Sequence, residues 1–442
     1  MLRHTRLRYG AKMTTAQDQP GDAVAGDLRS GNPVRVQQLL PTRHTVDLGA
    51  VLAQLSSAPV VPPFDPSRTE FVADVSRLLG RRGHGLPETQ ALAFWMRKSE
   101  LHRLAQSFFE LGSEQTILMP RGTVFHIPPA NVDTLFVYSW VLSTLVGNRN
   151  IVRLSSRATD QSNLIIDTIC EVLVDHPEVA GSSNMITYGH DDAVTSTISA
   201  SCDVRVIWGG DATVNRIRSI PIPAHANELV FADRFSMAAI GTGAYQALAA
   251  QERNRLAESF FVDAYWFDQL GCSSARLLLW VGADDPRPSA TDFYDRVRAV
   301  ARLKGYAVDT SAAIAKLAQA YRTMIDAEVS GYNAQDNTLA VLEMASFPDV
   351  RGEFCGAGLF YQVHATDLAE IVPSIRRADQ TLATYGIPEA DLRKLVSDLR
   401  GRGIDRIVPF GQALHFNRYW DGYDLLAELT RKTTILVNEL PT

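Results

Sequence analysis

Cys272 stands in Phe261-Val-Asp-Ala-Tyr-Trp-Phe-Asp-Gln-Leu-Gly-Cys-Ser-Ser-Ala-Arg276, between a polar turn and the apolar run Leu277-Leu-Leu-Trp-Val281. A thiol at such a turn is a candidate nucleophile. Gly271, Ser273 and Ser274 leave room for a carbonyl to approach, and their backbone N–H groups can stabilise the oxyanion that thiolate attack creates. The segment also fits a buried, inert cysteine, the commonest fate of a free thiol.

Other residues have chemistry of their own. Asn131, in the turn Pro129-Ala-Asn-Val-Asp133, can aim its side-chain amide at a carbonyl oxygen, although Asn is also common in turns for conformational reasons. Gly209-Gly210 follows a strand-like run and precedes a helical one, where small residues let backbone N–H groups approach a pyrophosphate; alone it is equally a plain turn. Arg153 is followed by Leu-Ser-Ser-Arg157, so Arg153, Ser155 and Arg157 put cationic and hydroxyl groups where an adenosine ribose lies in an open α/β sheet. Two arginines there suit a 2′-phosphate, and as solvated surface charges they would do nothing. Glu353, in Gly352-Glu-Phe-Cys-Gly-Ala-Gly358, can accept from a ribose diol or be an exposed loop carboxylate. His126 falls in an apolar strand and reads best as a core histidine. The ten histidines form no HxxxH pair, so no metal site is expected.

The elements that must position these residues alternate. From Val34 to about Ser107 the pattern is mostly amphipathic helix, broken at Ala58-Pro-Val-Val-Pro-Pro-Phe-Asp-Pro66. Strands are then expected at Gly122–Pro128, Ile151–Leu154, Met185–Tyr188 and Val204–Trp208, with helices at Thr134–Val146, Ser162–Val174 and Ala193–Ser201 between them. That alternation predicts a parallel, helix-covered sheet with ligands at its carboxyl edge. After the joint Ile220-Pro-Ile-Pro-Ala-His225, further strands are expected near residues 236–240, 275–281, 339–342 and 358–363. The economical reading is α/β: two α/β domains with parallel-type sheets facing a cleft, plus a helical N-terminal segment and a C-terminal strand.

Composition sets the outer bounds. The 442 residues are 46% hydrophobic and 21% charged, ordinary for a globular protein of two or three domains. A net charge of −6 without a basic patch argues against nucleic acid as a partner. The longest apolar stretch, Leu135–Val146, is too short for a membrane span. Cys170, Cys202, Cys272 and Cys355 lie far apart with no CxxC pair, which fits a reducing, cytoplasmic setting. Residues 1–33 are read as a disordered leader, with Met1 and Met13 both open as the start.

Taken in order, the pieces resemble the aldehyde dehydrogenase superfamily, and within it the LuxC-type acyl-CoA or acyl-protein thioester reductases. Pro129-Ala-Asn131 resembles the oxyanion loop. Gly147-Asn148 followed by Ile151-Val-Arg-Leu-Ser-Ser156 is similar to the family's GN...VVLKPS segment, and Val206-Ile-Trp-Gly-Gly210 resembles the glycine turn near the cofactor. Asp268-Gln-Leu-Gly-Cys-Ser-Ser274 then resembles the nucleophile loop, and Glu353-Phe-Cys-Gly356 the EIFGP motif, with Cys355 at the phenylalanine. Phe410-Gly411, Trp420-Asp-Gly422 and Lys432-Thr-Thr-Ile435 are similar to the closing segment. The likeness spans roughly residues 95 to 440.

The resemblance implies a nucleotide-binding domain over 34–226, completed by about 411–442, and a catalytic domain over 227–410. It implies Cys272 as nucleophile, Asn131 as oxyanion donor, and Arg153, Ser155, Arg157, Gly209, Gly210 and Glu353 as cofactor contacts. The expected reaction is NADPH-dependent reduction of an acyl thioester, on CoA or a carrier protein, to an aldehyde; NADH remains open as the donor. Hydrolytic relatives place a glutamate base at the start of the catalytic domain, and the nearest candidate here, Glu228, is shifted from that pattern. Two alternatives remain: an NAD-dependent aldehyde dehydrogenase forming the acid, and a non-reducing acyl-transfer subunit. An acyl-activating ligase partner is expected if the free acid is the source. Pairing through the run Thr433–Val437 would give a homo-oligomer. The aromatics Phe260, Phe261, Tyr265, Trp266 and Phe267 could line an acyl channel or pack the core.

Overall fold

A two-residue alternation governs the start of the described chain. In Arg35–Leu40 (β1) Val36, Gln38 and Leu40 are buried while Arg35 and Gln37 face out, and the strand pairs antiparallel with His44–Asp47 (β2). The helix expected from Val34 is therefore corrected to a hairpin, with helix beginning at Leu48–Ser57 and resuming in Pro66–Arg82, Pro87–Trp95 and Lys98–Phe109. Gln38 is the reason: a polar residue on the inward face hides the strand pattern, and it tolerates burial because its amide donates to Asn184. The structure, a computed structural model, describes residues 33–113, 115–129, 132–157, 159–352 and 354–437.

Next come Thr116–Pro120 (β3), Thr123–Ile127 (β4), Arg149–Leu154 (β5), Ser183–Thr187 (β6), Val204–Trp208 (β7) and Asn227–Phe231 (β8). In the sheet β2-β1-β6-β5-β4-β7-β8, the strands β6 to β8 are parallel, and β1 and β2 extend one edge antiparallel. All five residues of β4 are buried, as expected of a central parallel strand covered on both faces. Helix Leu135–Leu145, which follows β4, is buried on every side. No helix among the described residues is long and apolar enough to cross a membrane.

The glycine of the GN motif answers to packing. Gly147 has φ +86°, and a Cβ there would lie 1.9 Å from the Val61 carbonyl oxygen of the proline-rich segment. Asn148 beside it accepts from the Gly122 N–H at 3.0 Å and donates to the Leu429 carbonyl at 2.9 Å, tying the closing segment to this sheet.

A second sheet follows: Phe235–Gly241 (β9), Ala275–Val281 (β10), Val329–Asp336 (β11), Leu339–Met344 (β12), Leu359–Ala365 (β13), Asp379–Tyr385 (β14) and Arg406–Pro409 (β15). Its order is β11-β12-β13-β10-β9-β14-β15, with β11 antiparallel to β12 and the other pairs parallel. Helix Ala250–Tyr265 covers one face. Its Phe260, Phe261 and Tyr265 are buried against Phe293, Tyr306 and Phe360, so these three rings pack the core, each contributing roughly 1.5–3 kcal/mol of burial. Tyr419–Trp420 (β16) and Tyr423–Asp424 (β17) form a short hairpin, and Thr430–Thr434 (β18) pairs antiparallel with β3. Residues 233–415 form one compact unit, and 33–232 with 416–437 another.

Candidate active site

The turn that carries Cys272 begins where helix Ala250–Tyr265 ends. Phe267, Asp268 and Gln269 take φ values of 55°, 55° and 62° in succession, a left-handed path that costs about 1–2 kcal/mol for each side-chain-bearing residue. Five hydrogen bonds hold it there. Tyr306 donates its hydroxyl to the Asp268 carboxylate. The Asp268 carbonyl accepts the Ala357 N–H at 3.2 Å. Gln269, fully buried, donates to the Ala275 and Leu359 carbonyls and accepts the Gly358 N–H, all at 3.0 Å. The facing loop is itself left-handed at Gly356, Ala357 and Gly358, and a Cβ on Gly356 would sit 2.4 Å from the Asp268 carbonyl oxygen. Lys316, buried and with its pKa lowered by burial, donates to the Asn337 and Ala357 carbonyls and so braces that loop from behind.

Cys272 lies at the amino edge of this sheet, just before β10, and is half-buried. Its carbonyl accepts from Ser236, the second residue of β9, at 2.7 Å. Its sulfur accepts from Nε2 of Gln380, the second residue of β14, at 3.6 Å, and the Gln380 Oε1 accepts from Ser273 at 3.0 Å. Thus the starts of three neighbouring strands meet at Cys272, β9 through its carbonyl and β14 through its sulfur. Arg276 is half-buried with its guanidinium 3.7 Å from the Phe354 ring centre; desolvation lowers its pKa to about 10, against the electrostatic pull of Cys272. Burial pushes the Cys355 thiol up to about 11 and Cys202 up to about 12, and raises Cys170 as well. Those three are held as thiols.

In the other unit the predicted nucleotide contacts share one sheet edge. Arg153 ends near the carboxyl end of β5, where it donates to the Gly189 carbonyl at 3.3 Å and lies 5.0 Å from the Tyr188 ring centre; its Nε is buried with no hydrogen-bond partner. Ser155 and Arg157 line a small hollow with Pro128, Pro129 and Phe136, at the carboxyl ends of β4 and β5. Gly209 and Gly210 follow β7; the Gly209 N–H donates to the Phe231 carbonyl at 3.1 Å, and Gly210 stands at the N-cap of helix Asp211–Arg218. Since β4 lies between β5 and β7, these sets are two strand spacings apart, roughly 10 Å. The sequence also reverses direction across the sheet at β4 and β7, the place where such sheets take ligands. An orphaned guanidinium nitrogen on Arg153 and a hollow lined by Ser155 and Arg157 are chemistry that suits a phosphate-bearing dinucleotide. Asn131 and Glu353 lie outside the described residues.

Glu228 is engaged elsewhere. On β8 it accepts from the fully buried Arg205 at 2.8 Å and from Arg218 at 3.0 Å. His126 is a core residue: it is buried between Ser139 at 2.7 Å and Asn150 at 3.0 Å, and burial lowers its pKa to about 4. Gln269, Lys316, Arg276 and Gln380 escaped the sequence reading. The signal for Gln380 was a run of polar residues, Asp379-Gln-Thr381, heading an apolar strand.

Residues 110–432 match the family model of LuxC, described as acyl-CoA reductase. The long-chain acyl-protein thioester reductase of Aliivibrio fischeri is 25% identical over 327 residues, 73% of this chain and 65% of that one, so the match spans a little under two thirds of the relative's length. Among solved structures, aldehyde dehydrogenase 21 of Physcomitrella patens is similar with a TM-score of 0.68 at 11% identity, over 93% of this chain and 96% of that one. An NAD-dependent aldehyde dehydrogenase of Sinorhizobium meliloti gives 0.66 at 13% identity, over 95% and 98%. At these identities the structural likeness carries the fold, an aldehyde dehydrogenase fold of α/β type. The family match extends over most of the chain, from before β3 into β18, and the chain therefore belongs to the LuxC acyl-CoA reductase family.

Proposed function

We propose that this protein reduces an acyl thioester, presented on CoA or on a carrier protein, to the aldehyde through an acyl group held on Cys272. The observation that carries the reading is the setting of Cys272: a half-buried thiol on a braced turn with a left-handed entry and a side-chain amide donor at its sulfur. Family membership supports the substrate class.

The Cys272 thiolate adds to the thioester carbonyl, the bond to the carrier sulfur breaks, and the carrier leaves as a thiol after taking a proton from water. Asn131 and the Cys272 backbone N–H are assigned to the oxyanion of that addition. Arg153, Ser155, Arg157, Gly209, Gly210 and Glu353 are assigned to NADPH, which when bound supplies the hydride that brings the acyl carbon to the aldehyde level. The Cys272 sulfur is then expelled as aldehyde departs. Oxidation to the free acid needs a base for water, and Glu228, held by Arg205 and Arg218, is a structural ion pair instead. We assign subunit pairing to the run Thr433–Val437, which is exposed and extends past the end of β18, and supply of the thioester to a separate acyl-activating ligase.

The test follows NADPH absorbance with a panel of acyl-CoAs while aldehyde is trapped as product. Acyl-CoA-dependent NADPH loss with matching aldehyde is expected. Robust oxidation of aldehyde to acid without thiol, with no reduction of any acyl-CoA or acyl-protein, would overturn the assignment.

A further inference from the structure

Resting on the assignment of Cys272 as nucleophile, we propose that Gln380 is a second catalytic residue, its buried side-chain NH2 group donating to the Cys272 sulfur and favouring thiolate over thiol. Gln380 is fully buried at the head of β14, and its Nε2 lies 3.6 Å from the sulfur, within reach of a hydrogen bond to so large an acceptor. What aims the amide is its other end. Oε1 accepts from the Ser273 hydroxyl at 3.0 Å and from the Thr381 hydroxyl at 3.3 Å. The Ser236 hydroxyl is 3.5 Å from the same oxygen, but its single proton goes to the Cys272 carbonyl at 2.7 Å. With hydroxyl donors gathered at the oxygen, the NH2 group faces the sulfur.

A neutral amide in this place acts twice. When Cys272 loses its proton to water, the N–H stabilises the charge that appears on sulfur, and a charge-assisted bond is stronger than the one made to the thiol. When the aldehyde leaves, the same N–H receives the sulfur as an anion, so expulsion needs no protonation of the sulfur first. Arg276 of β10, its Nε without a hydrogen-bond partner, has Cys272, Asp233, Tyr361 and Cys355 within electrostatic reach. Its positive charge favours the thiolate, while Asp233 offsets part of it. An amide has no charge to be offset.

The experiment is the pH dependence of Cys272 alkylation by iodoacetamide, read by peptide mass spectrometry, in wild type, Gln380→Leu and Gln380→Glu, with thermal unfolding of each measured alongside. In Gln380→Leu the thiol pKa should rise by about one unit, so that alkylation near neutral pH slows about tenfold. In Gln380→Glu the slowing should be greater once the carboxyl ionises and should relax at low pH, where the neutral acid can donate again. Should Gln380→Leu unfold, the isosteric Gln380→Glu decides by the same comparison. A thiol pKa unchanged in a folded variant overturns the proposal. The readout is separate from reductase activity: aldehyde formation that persists in Cys272→Ala would overturn the proposed function instead.

Discussion

The Gln269 side chain accepts the Gly358 N–H and donates to the Ala275 and Leu359 carbonyls, all at 3.0 Å, so one buried amide joins the turn before Cys272, the first residue of β10 and the first residue of β13. A left-handed path of three non-glycine residues persists because it is over-determined in this way. Gln269 is thus a positioning residue. Gln269→Ala removes three buried hydrogen bonds, and chemical denaturation should show a loss of about 2–3 kcal/mol. Aldehyde formation should fall mainly in kcat, since the carbonyl-binding geometry is disturbed while the nucleotide unit is untouched.

Gly147→Ala should be among the most damaging single-methyl changes. The added Cβ meets the Val61 carbonyl at 1.9 Å, at φ +86°, and a backbone group cannot swing aside. A loss of about 3 kcal/mol is expected, and a melting temperature within a degree of wild type would contradict the packing argument.

Asp263 gives the protein a pH dependence opposite to that of most carboxylates. It is almost fully buried and accepts the Gly411 and Ala413 N–H groups at 2.6 and 2.8 Å. Burial outweighs those bonds and raises its pKa from 3.8 to about 7. A folded-state value above the unfolded one means that Asp263 contributes most below pH 3.8 and that the contribution is lost as pH rises through about 7. The stability of wild type relative to Asp263→Asn should therefore decline between pH 4 and 8, by a few kcal/mol at most. Denaturation curves across that range check it; an increase would be the wrong sign.

Glu228→Gln separates a structural carboxylate from a base. Arg205 is buried, and losing the charge of its partner should cost about 3 kcal/mol of stability. Thioester reduction by the folded variant should stay within a few-fold of wild type. Loss of all turnover in a folded Glu228→Gln would mean that the carboxylate takes part in the chemistry.

Arg157→Ala tests the nucleotide preference. Removing this arginine from the hollow that Ser155 also lines should raise the dissociation constant for NADPH about tenfold and leave NADH nearly unchanged. Equal weakening of both, measured by fluorescence titration, would take Arg157 away from the 2′-phosphate.

The two α/β sheets and the family were legible because their signals are local or ordered along the chain. Val204–Trp208 and Ala275–Val281 are strands over the residues their apolar runs indicate, and the succession of degenerate motifs pointed to LuxC where no single motif would. The misreading of residues 35–47 as helix came from Gln38, whose burial depends on Asn184, 146 positions away. Gln269 and Gln380 went unnoticed for the same kind of reason. Their roles rest on partners brought in by other strands, up to 108 positions distant for Gln380 and Cys272. A glutamine in sequence carries no mark of which carbonyl or sulfur it will meet.

The central claim, an acyl group held on Cys272, is tested most directly by mixing the protein with acyl-CoA in the absence of any nicotinamide and mapping the adduct by peptide mass spectrometry. A thioester-linked acyl group on the Cys272 peptide, removed by hydroxylamine and by later addition of NADPH with release of aldehyde, is the predicted result. Acylation at another residue, or aldehyde formation by Cys272→Ala at the wild-type rate, would contradict it.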